Sequence, residues 1–200
     1  MEESVLVARG CEFDRRPVAE WQAAVRRSTL KMRDRLAFMT VEHHAVRNFI
    51  VVELPGPQRA LPLAQVAACV NLPASRVQTI IEELERKLFF LVRNSAGDVA
   101  WAFPVTADRT PHELQFSTGE RTFGACGEDA FAGAFVLGRL LHRRLSVDVR
   151  SVCGQSGRPL RFTVDSDLSW RTHTDDGEPL LFVPSVDWER FDAPNIIDDY

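Results

Sequence analysis

The spacing of apolar residues predicts three helical stretches in the first half of the chain. Apolar side chains recur at roughly helical spacing over residues 17–53, and this stretch ends at Leu54-Pro55-Gly56-Pro57. A short helix is predicted from Pro62 to Val70. A second runs from about Ser75 to Leu88, with Ser75 as its N-cap.

A β-hairpin is predicted directly after these helices, where two apolar runs flank the turn signal Asn94-Ser95-Ala96-Gly97-Asp98. Two helices followed by a hairpin are typical of a winged helix, which suggests DNA binding. The second helix, however, carries Glu82, Glu83 and Glu85, which DNA phosphates would repel. A structural or dimerising winged helix is therefore the preferred interpretation.

The pattern changes after residue 105, where alternating residues predict strands around one long helix. A hairpin is predicted over 113–123, a helix over about 128–145, and strands over 147–152, 160–164 and 180–183. The sequence therefore predicts an α+β fold in two parts. A helical and winged-helix-like N-terminal half, residues 1–105, precedes an antiparallel-sheet domain with a central helix, residues 106–200.

Composition narrows the class of protein. The chain has 200 residues, 45% of them apolar, which is enough for a sizeable core. The net charge of −4 argues against general affinity for nucleic acid or anionic membranes. No apolar run has the length of a membrane span, and the acidic N-terminus lacks a signal-peptide pattern, so a cytoplasmic location is expected.

The cysteines favour isolated thiols over a framework of disulfides. Cys11, Cys69, Cys126 and Cys153 are widely spread, without a Cys-x-x-Cys pair or the spacing of a structural zinc site. Cys69 is predicted to lie in the core, because it falls on an apolar helix face. The histidines (His43, His44, His112, His142 and His173) are scattered and favour structural or surface roles.

Cys126 is the strongest candidate for chemistry. It stands where a glycine-rich stretch meets the predicted central helix, and the positive end of a helix favours the thiolate form. Asp129 follows three residues later, on the same helix face. A nucleophilic sulfur beside a proton-carrying acid is a candidate catalytic pair. Two structural alternatives stay open: Cys126 as a small buried apolar residue, and Asp129 as a first-turn acid that the helix dipole favours.

A longer segment around Cys126 resembles the catalytic motif of the organomercurial (alkylmercury) lyase family. The segment is Phe123-Gly124-Ala125-Cys126-Gly127-Glu128-Asp129, continuing to Leu137-Gly138-Arg139. The family's strand before the motif resembles Thr110-Pro111-His112 and Phe116. Its later cysteine turn and strand resemble Cys153-Gly154-Gln155-Ser156-Gly157 and Arg161-Phe162-Thr163-Val164. The resemblance covers about residues 60–170.

The resemblance implies an alkylmercury-lyase-like fold and assigns roles to two residues. Cys126 would act as the thiolate that attacks mercury or binds a soft metal ion, and Asp129 would carry the proton that releases the hydrocarbon. The family's second catalytic cysteine has no counterpart here, because no cysteine follows Cys153, which matches a structural turn cysteine. The chain thus resembles a divergent member with one catalytic thiol.

The leading hypothesis is a lyase-like protein that acts on or binds an organomercurial, a soft metal ion or another small electrophile. Whether it is an enzyme stays open; the reaction would be carbon–metal bond protonolysis or a redirected small-molecule reaction. No organic cofactor is expected, since no phosphate-cradling glycine motif is present.

The alternatives are a winged-helix transcriptional regulator or ligand-sensing protein without catalysis, and an inactive scaffold. Nucleic acid and membranes are not expected as partners. Trp101, Trp170 and Trp188 either line the cleft beside Cys126 or only pack.

Overall fold

The structure is a computed structural model that describes residues 4–9, 12–17, 34, 36–56, 59–88, 91–153 and 157–173. The helices with described bounds are α1 (Val41–Glu53), α2 (Leu63–Val70), α3 (Ala74–Leu88) and α4 (Gly127–Leu140). The strands are β1 (Ser4–Arg9), β2 (Glu12–Pro17), β3 (Leu91–Arg93), β4 (Val99–Ala102), β5 (Val105–Thr106), β6 (His112–Phe116), β7 (Arg121–Gly124), β8 (Ser146–Val152), β9 (Pro159–Asp165) and β10 (Trp170–Thr172).

Eight of these strands form one antiparallel sheet in the order β10-β9-β8-β6-β7-β5-β4-β3. The hairpin β3–β4, which follows the helices, therefore belongs to the same sheet as the later strands. Strands β1 and β2 pair separately as an antiparallel hairpin. Strand β5 contains both residues of the predicted domain boundary, 105 and 106. The division into two domains stays a prediction.

Helix α4 packs across one face of the sheet and contacts strands β5 to β9. The strands supply alternate buried residues to this face, as the two-residue period of a strand requires; they include Leu114, Phe116, Val147, Val149, Phe162 and Val164. Gly133 of α4 lies so close to the sheet that an added Cβ would be 3.4 Å from Leu114 Cδ1. The fold is α+β, as predicted, with a central helix packed on one face of an antiparallel sheet.

Helices α1, α2 and α3 pack on one another beside this sheet. Their buried residues recur at helical spacing and include Val46, Ile50, Val66, Val77, Ile80, Ile81 and Leu84. Asn71 ends α2 in the left-handed conformation, with φ of 54°, which asparagine tolerates better than most residues. Within the described residues, each helix is too short or too polar to traverse a lipid bilayer.

The predicted helical stretch over residues 17–53 does not begin at Pro17 and is interrupted before Thr40, although Asp34 and Leu36 are helical and the end at Glu53 is as predicted. Pro17 belongs to strand β2, and α1 begins only at Val41. The chain forms a turn before Thr40, where the Met39 N–H donates to the Leu36 carbonyl at 2.9 Å. Thr40 and His43 then form a capping box that fixes the helix start. Residues 18–33, and the predicted strand over 180–183, lie outside the described part of the chain.

Two other predicted helix ends are corrected. Helix α3 begins at Ala74, because the Pro73 carbonyl accepts the Val77 N–H at 3.0 Å, so Ser75 is not the N-cap. Helix α4 ends at Leu140 and does not continue to residue 145.

A Schellman motif explains the early end of α4. His142 adopts φ of 52°, the Arg143 N–H donates to the Gly138 carbonyl at 3.0 Å, and the His142 N–H donates to Arg139 at 3.4 Å. The chain then turns back into strand β8.

Candidate active site at the start of α4

The start of α4 lies directly against the end of strand β7. Cys126 is the N-cap residue, with an extended backbone (φ −141°, ψ −179°), and its carbonyl accepts the Ala130 N–H at 3.1 Å. Gly124 makes this approach feasible, since an added Cβ would lie 2.9 Å from the Ala130 nitrogen. The Cys126 thiol is partly buried, is not in a disulfide and makes no capping hydrogen bond. The prediction that Cys126 stands at a helix N-terminus is confirmed.

Asp129 lies in the same first turn and is almost completely buried, at 3% exposure. Its Oδ2 atom accepts two hydrogen bonds, from the Ala125 backbone N–H at 3.1 Å and from the Trp101 indole Nε1–H at 3.3 Å. A buried carboxyl group requires such donors, because it has lost its hydration. The carboxyl group therefore points back toward the backbone of Ala125, the residue before the N-cap Cys126. Their roles as a catalytic pair stay a prediction.

The two described tryptophans of this set, Trp101 and Trp170, lie in different places. Trp101, on β4, contacts Asp129 through its indole N–H, so it belongs to the candidate site. Trp170 is exposed at the sheet edge, with its ring centroid 6.0 Å from that of Phe131. Trp188 lies outside the described residues. Sequence reasoning did not separate these residues, because the contact of Trp101 with Asp129 joins elements that are distant in the chain.

A histidine that the sequence analysis treated as structural or surface lies beside the end of β7. His112 pairs with Gly124 across strands β6 and β7, and its Nδ1 is 2.7 Å from Ser151 Oγ on β8. Burial lowers the pKa of His112 below its usual value. Thr110 Oγ1 also donates to the Gly124 carbonyl at 2.6 Å. The signal available in the sequence was the Thr110-Pro111-His112 segment itself.

The other described cysteines belong to other elements of the fold. Cys153 is partly buried in the turn after β8, where its N–H donates to the Arg158 carbonyl at 2.9 Å and its carbonyl accepts the Gly157 N–H at 2.8 Å. This matches the predicted turn cysteine. Cys69 is exposed on α2, so its predicted core position is wrong. The buried positions of that helix are Val66 and Ala67. Cys11 lies outside the described part.

Within the part of the chain that the structure describes, no three His, Cys, Asp or Glu side chains converge in a way that could hold a metal ion. A cavity of about 250 Å³ lies at the opposite end of α4, between Leu137, Glu53 and Glu120. Another, of about 330 Å³, lies beside Ser146 and Asp165. Neither cavity is lined by the Cys126 turn, so the candidate site rests on side-chain chemistry.

Several charged residues of α3 are engaged within the protein. Arg76 pairs with Glu42 of α1 at 2.7 Å, and Lys87 pairs with Glu83 at 3.6 Å. Glu85 accepts from Arg93 of β3 at 2.7 Å. The pairs of Arg76 and Glu85 join α3 to α1 and β3. These side chains therefore have a structural role, whereas a DNA-binding helix would expose them. The regulator alternative stays a prediction.

Comparison with known proteins gives a structural match. No family model and no curated protein matches the chain. Solved structures do match, among them the crystal structure of the mercury-bound form of MerB2, with a TM-score of 0.55 and 18% sequence identity. The match covers 70% of this chain and 64% of that chain, which is less than two thirds of its length. The chain has a MerB-like fold. The predicted alkylmercury-lyase-like architecture is therefore confirmed at the level of the fold.

Proposed function

We propose that the protein binds organomercurials, or soft electrophiles of similar chemistry, at Cys126, and that Asp129 protonates the carbon that leaves the metal. The observation that carries this proposal is the first turn of α4, where a cysteine at the N-cap is followed by a buried acid. The MerB-like fold supports mercury as the electrophile, since the matched structure is mercury-bound.

The position of Cys126 favours the thiolate. The first backbone N–H groups of a helix lack partners within the helix, and with the macrodipole they create a positive potential at the N-cap. Such a potential stabilises a thiolate relative to a thiol. Thiolate is also the ligand that a soft metal such as mercury prefers. A partly buried sulfur at this point combines access with activation.

The proposed reaction needs one thiolate and one acid. The Cys126 sulfur forms a bond to the mercury of R–Hg–X, and X leaves with its electron pair. The electron pair of the carbon–mercury bond then takes the proton of Asp129, so that R–H leaves and Asp129 becomes a carboxylate. The acid is needed because a carbanion is a poor leaving group. The mercury is then left as a cation on the Cys126 sulfur. Two molecules of a small external thiol remove it as a dithiolate, which frees the Cys126 thiolate, and one of the two protons that they release returns to Asp129.

Product analysis tests this function. The protein is incubated with an organomercurial and an excess of small thiol, and the released hydrocarbon is measured. We expect hydrocarbon from the wild type and none above background from Cys126→Ser. Cys69→Ser is the matched control, because Cys69 is an exposed cysteine on α2. Equal release by wild type and Cys126→Ser would contradict the proposal.

Alkylation rates test the activation of the thiol separately. Near neutral pH, Cys126 should react with iodoacetamide faster than Cys153, because only the former caps a described helix. Peptide mapping after timed labelling gives the two rates. Slower labelling of Cys126 would remove the basis for a thiolate at this position.

A further inference from the structure

We propose that Trp101 is a positioning residue for Asp129: its indole N–H holds Oδ2 as an acceptor, so that the transferable hydrogen of the acid lies on Oδ1. The inference rests on the proposed function for the use of that hydrogen. The placement of the carboxyl group itself can be measured independently.

The sheet brings Trp101 to the candidate site. Trp101 of β4 pairs with Thr106 of β5, and Thr106 pairs with Phe123 of β7, three residues before Cys126. The strand that contributes the indole thus lies two strands away from the segment that leads into α4. The hairpin β3–β4, which the sequence places in a winged-helix-like unit, thereby supplies a side chain to the first turn of α4.

The two donors on Oδ2 disfavour a hydrogen on that oxygen. The indole Nε1–H of Trp101 and the backbone N–H of Ala125 can donate but cannot accept. A hydrogen on Oδ2 would therefore face two other hydrogens, whereas a hydrogen on Oδ1 keeps both bonds intact. Because Asp129 is 3% exposed, water is poorly placed to replace either bond. These two bonds thus favour the form of the neutral acid with its hydrogen on Oδ1 over the form with its hydrogen on Oδ2.

Loss of the indole N–H should affect proton transfer more than metal binding. In Trp101→Phe, Oδ2 keeps the Ala125 donor, but the carboxyl group loses its restraint from β4. We expect hydrocarbon release to fall about ten- to a hundredfold, because the indole N–H also stabilises the carboxylate that forms as the proton leaves, and a hydrogen bond to a charged group has about this value. Binding of Hg²⁺ to Cys126 should be unchanged, since the sulfur lies outside this contact.

The test combines kinetics with indole NMR. The four tryptophans give four indole N–H signals, of which Trp101→Phe and Trp170→Phe assign two. Asp129→Asn should shift the Trp101 signal and leave the Trp170 signal in place. Trp170→Phe is the matched kinetic control, because Trp170 contacts Phe131 at the exposed sheet edge.

The outcomes separate the two proposals. Slower hydrocarbon release by Trp101→Phe with normal Hg²⁺ binding supports the positioning role. Wild-type release by Trp101→Phe, equal loss of binding and release, or an unshifted Trp101 signal in Asp129→Asn would overturn it. If the wild type releases no hydrocarbon, the proposed function fails. The indole signal, measured in an otherwise unaltered chain, then still decides whether Trp101 holds Asp129.

Discussion

The first turns of α1 and α4 share a side-chain arrangement but differ in the residue at the N-cap. In each helix the third residue is buried, His43 at 2% exposure and Asp129 at 3%. Each reaches back to a backbone N–H before the helix: Thr40 N–H donates to His43 Nδ1 at 3.2 Å, and Ala125 N–H donates to Asp129 Oδ2 at 3.1 Å. Both helices therefore begin with a buried side chain that fixes the entering chain.

The two helices differ in the N-cap residue: α1 has a threonine in a capping box, and α4 has a cysteine. Thr40 is a favoured N-cap and forms a capping box with His43. Cys126 makes no capping hydrogen bond. A favourable cap typically contributes about 1 kcal/mol. Helix α4 forgoes that contribution at the residue with the most reactive side chain of the turn, which is the pattern expected where function and stability compete.

Substitution of the cysteine should give the largest effect. In Cys126→Ser we expect the number of tightly bound Hg²⁺ ions to fall by one relative to the wild type, because a hydroxyl is a poor ligand for a soft metal, while the exposed thiol of Cys69 keeps its own ion. Stability should rise by about 0.5 to 1 kcal/mol, since serine is a good N-cap, and this raises the melting temperature by about 1 to 4 °C for a chain of this size. Calorimetric titration and thermal unfolding measure the two changes. An unchanged number of bound ions, or a lower melting temperature, would contradict this difference between the two helix starts.

Removal of the acid should leave binding and reduce turnover. Asp129→Asn keeps the size of the side chain but has no acidic hydrogen, so we expect hydrocarbon release to fall about 10²- to 10⁴-fold. Hg²⁺ binding should persist at Cys126. Asp108→Asn is the matched control, because Asp108 is exposed. Single-turnover measurements at saturating thiol provide the comparison; similar rates for the two variants would show that Asp129 is only a helix-start residue.

The corresponding change at α1 should act on stability alone. Thr40→Ala removes the hydroxyl of the capping box, and we expect a loss of about 1 kcal/mol in the free energy of unfolding. Urea denaturation measures this loss. Hg²⁺ binding should match that of the wild type, since Thr40 belongs to the other helix start. Unaltered stability would show that the hydroxyl does not contribute to the cap.

Local patterns in the sequence were sufficient for the elements with a clear period. Helix α3 and strands β8 and β9 lie close to their predicted ranges, because their apolar residues alternate or recur without interruption. The helix start at Cys126 was likewise visible, since glycines precede an apolar helical pattern. Hairpin β1–β2 was missed. Strand β2, Glu12–Pro17, is mostly charged and lacks the alternation that marks a strand.

The composition of the site depends on contacts that no local pattern contains. Trp101 and Asp129 meet across 28 positions of sequence, and His112 and Ser151 across 39. These pairs follow from the order and register of strands in the sheet, which are tertiary properties. The break before α1 was missed for a simpler reason: helical spacing of apolar residues continues across Thr40, and the capping box was not recognised.

The smallest effect should be a difference in the pH dependence of folding stability between the sheet region around His112 and the helical region around Glu83. Burial lowers the pKa of His112 below its usual 6.5, so below pH 6.5 the unfolded chain binds a proton that the folded chain does not. The contribution of His112 to stability is therefore complete above pH 6.5 and decreases as the pH falls from 6.5 toward the lower pKa of the folded state. In the helical region, a hydrogen bond with His43 lowers the pKa of Glu83 below 4.5. That contribution is present above pH 4.5 and is lost as the pH falls through the folded value.

Melting temperatures between pH 7.5 and 5 should separate these contributions. The decline of the wild type below pH 6.5 should be reduced in His112→Asn, because asparagine cannot take up the proton. Glu83→Gln should leave the slope in this window as it is, since the Glu83 carboxyl titrates at lower pH. Parallel curves for wild type and His112→Asn would assign the slope to other groups. A reduced slope would show that the neutral imidazole beside Gly124 belongs to the folded state.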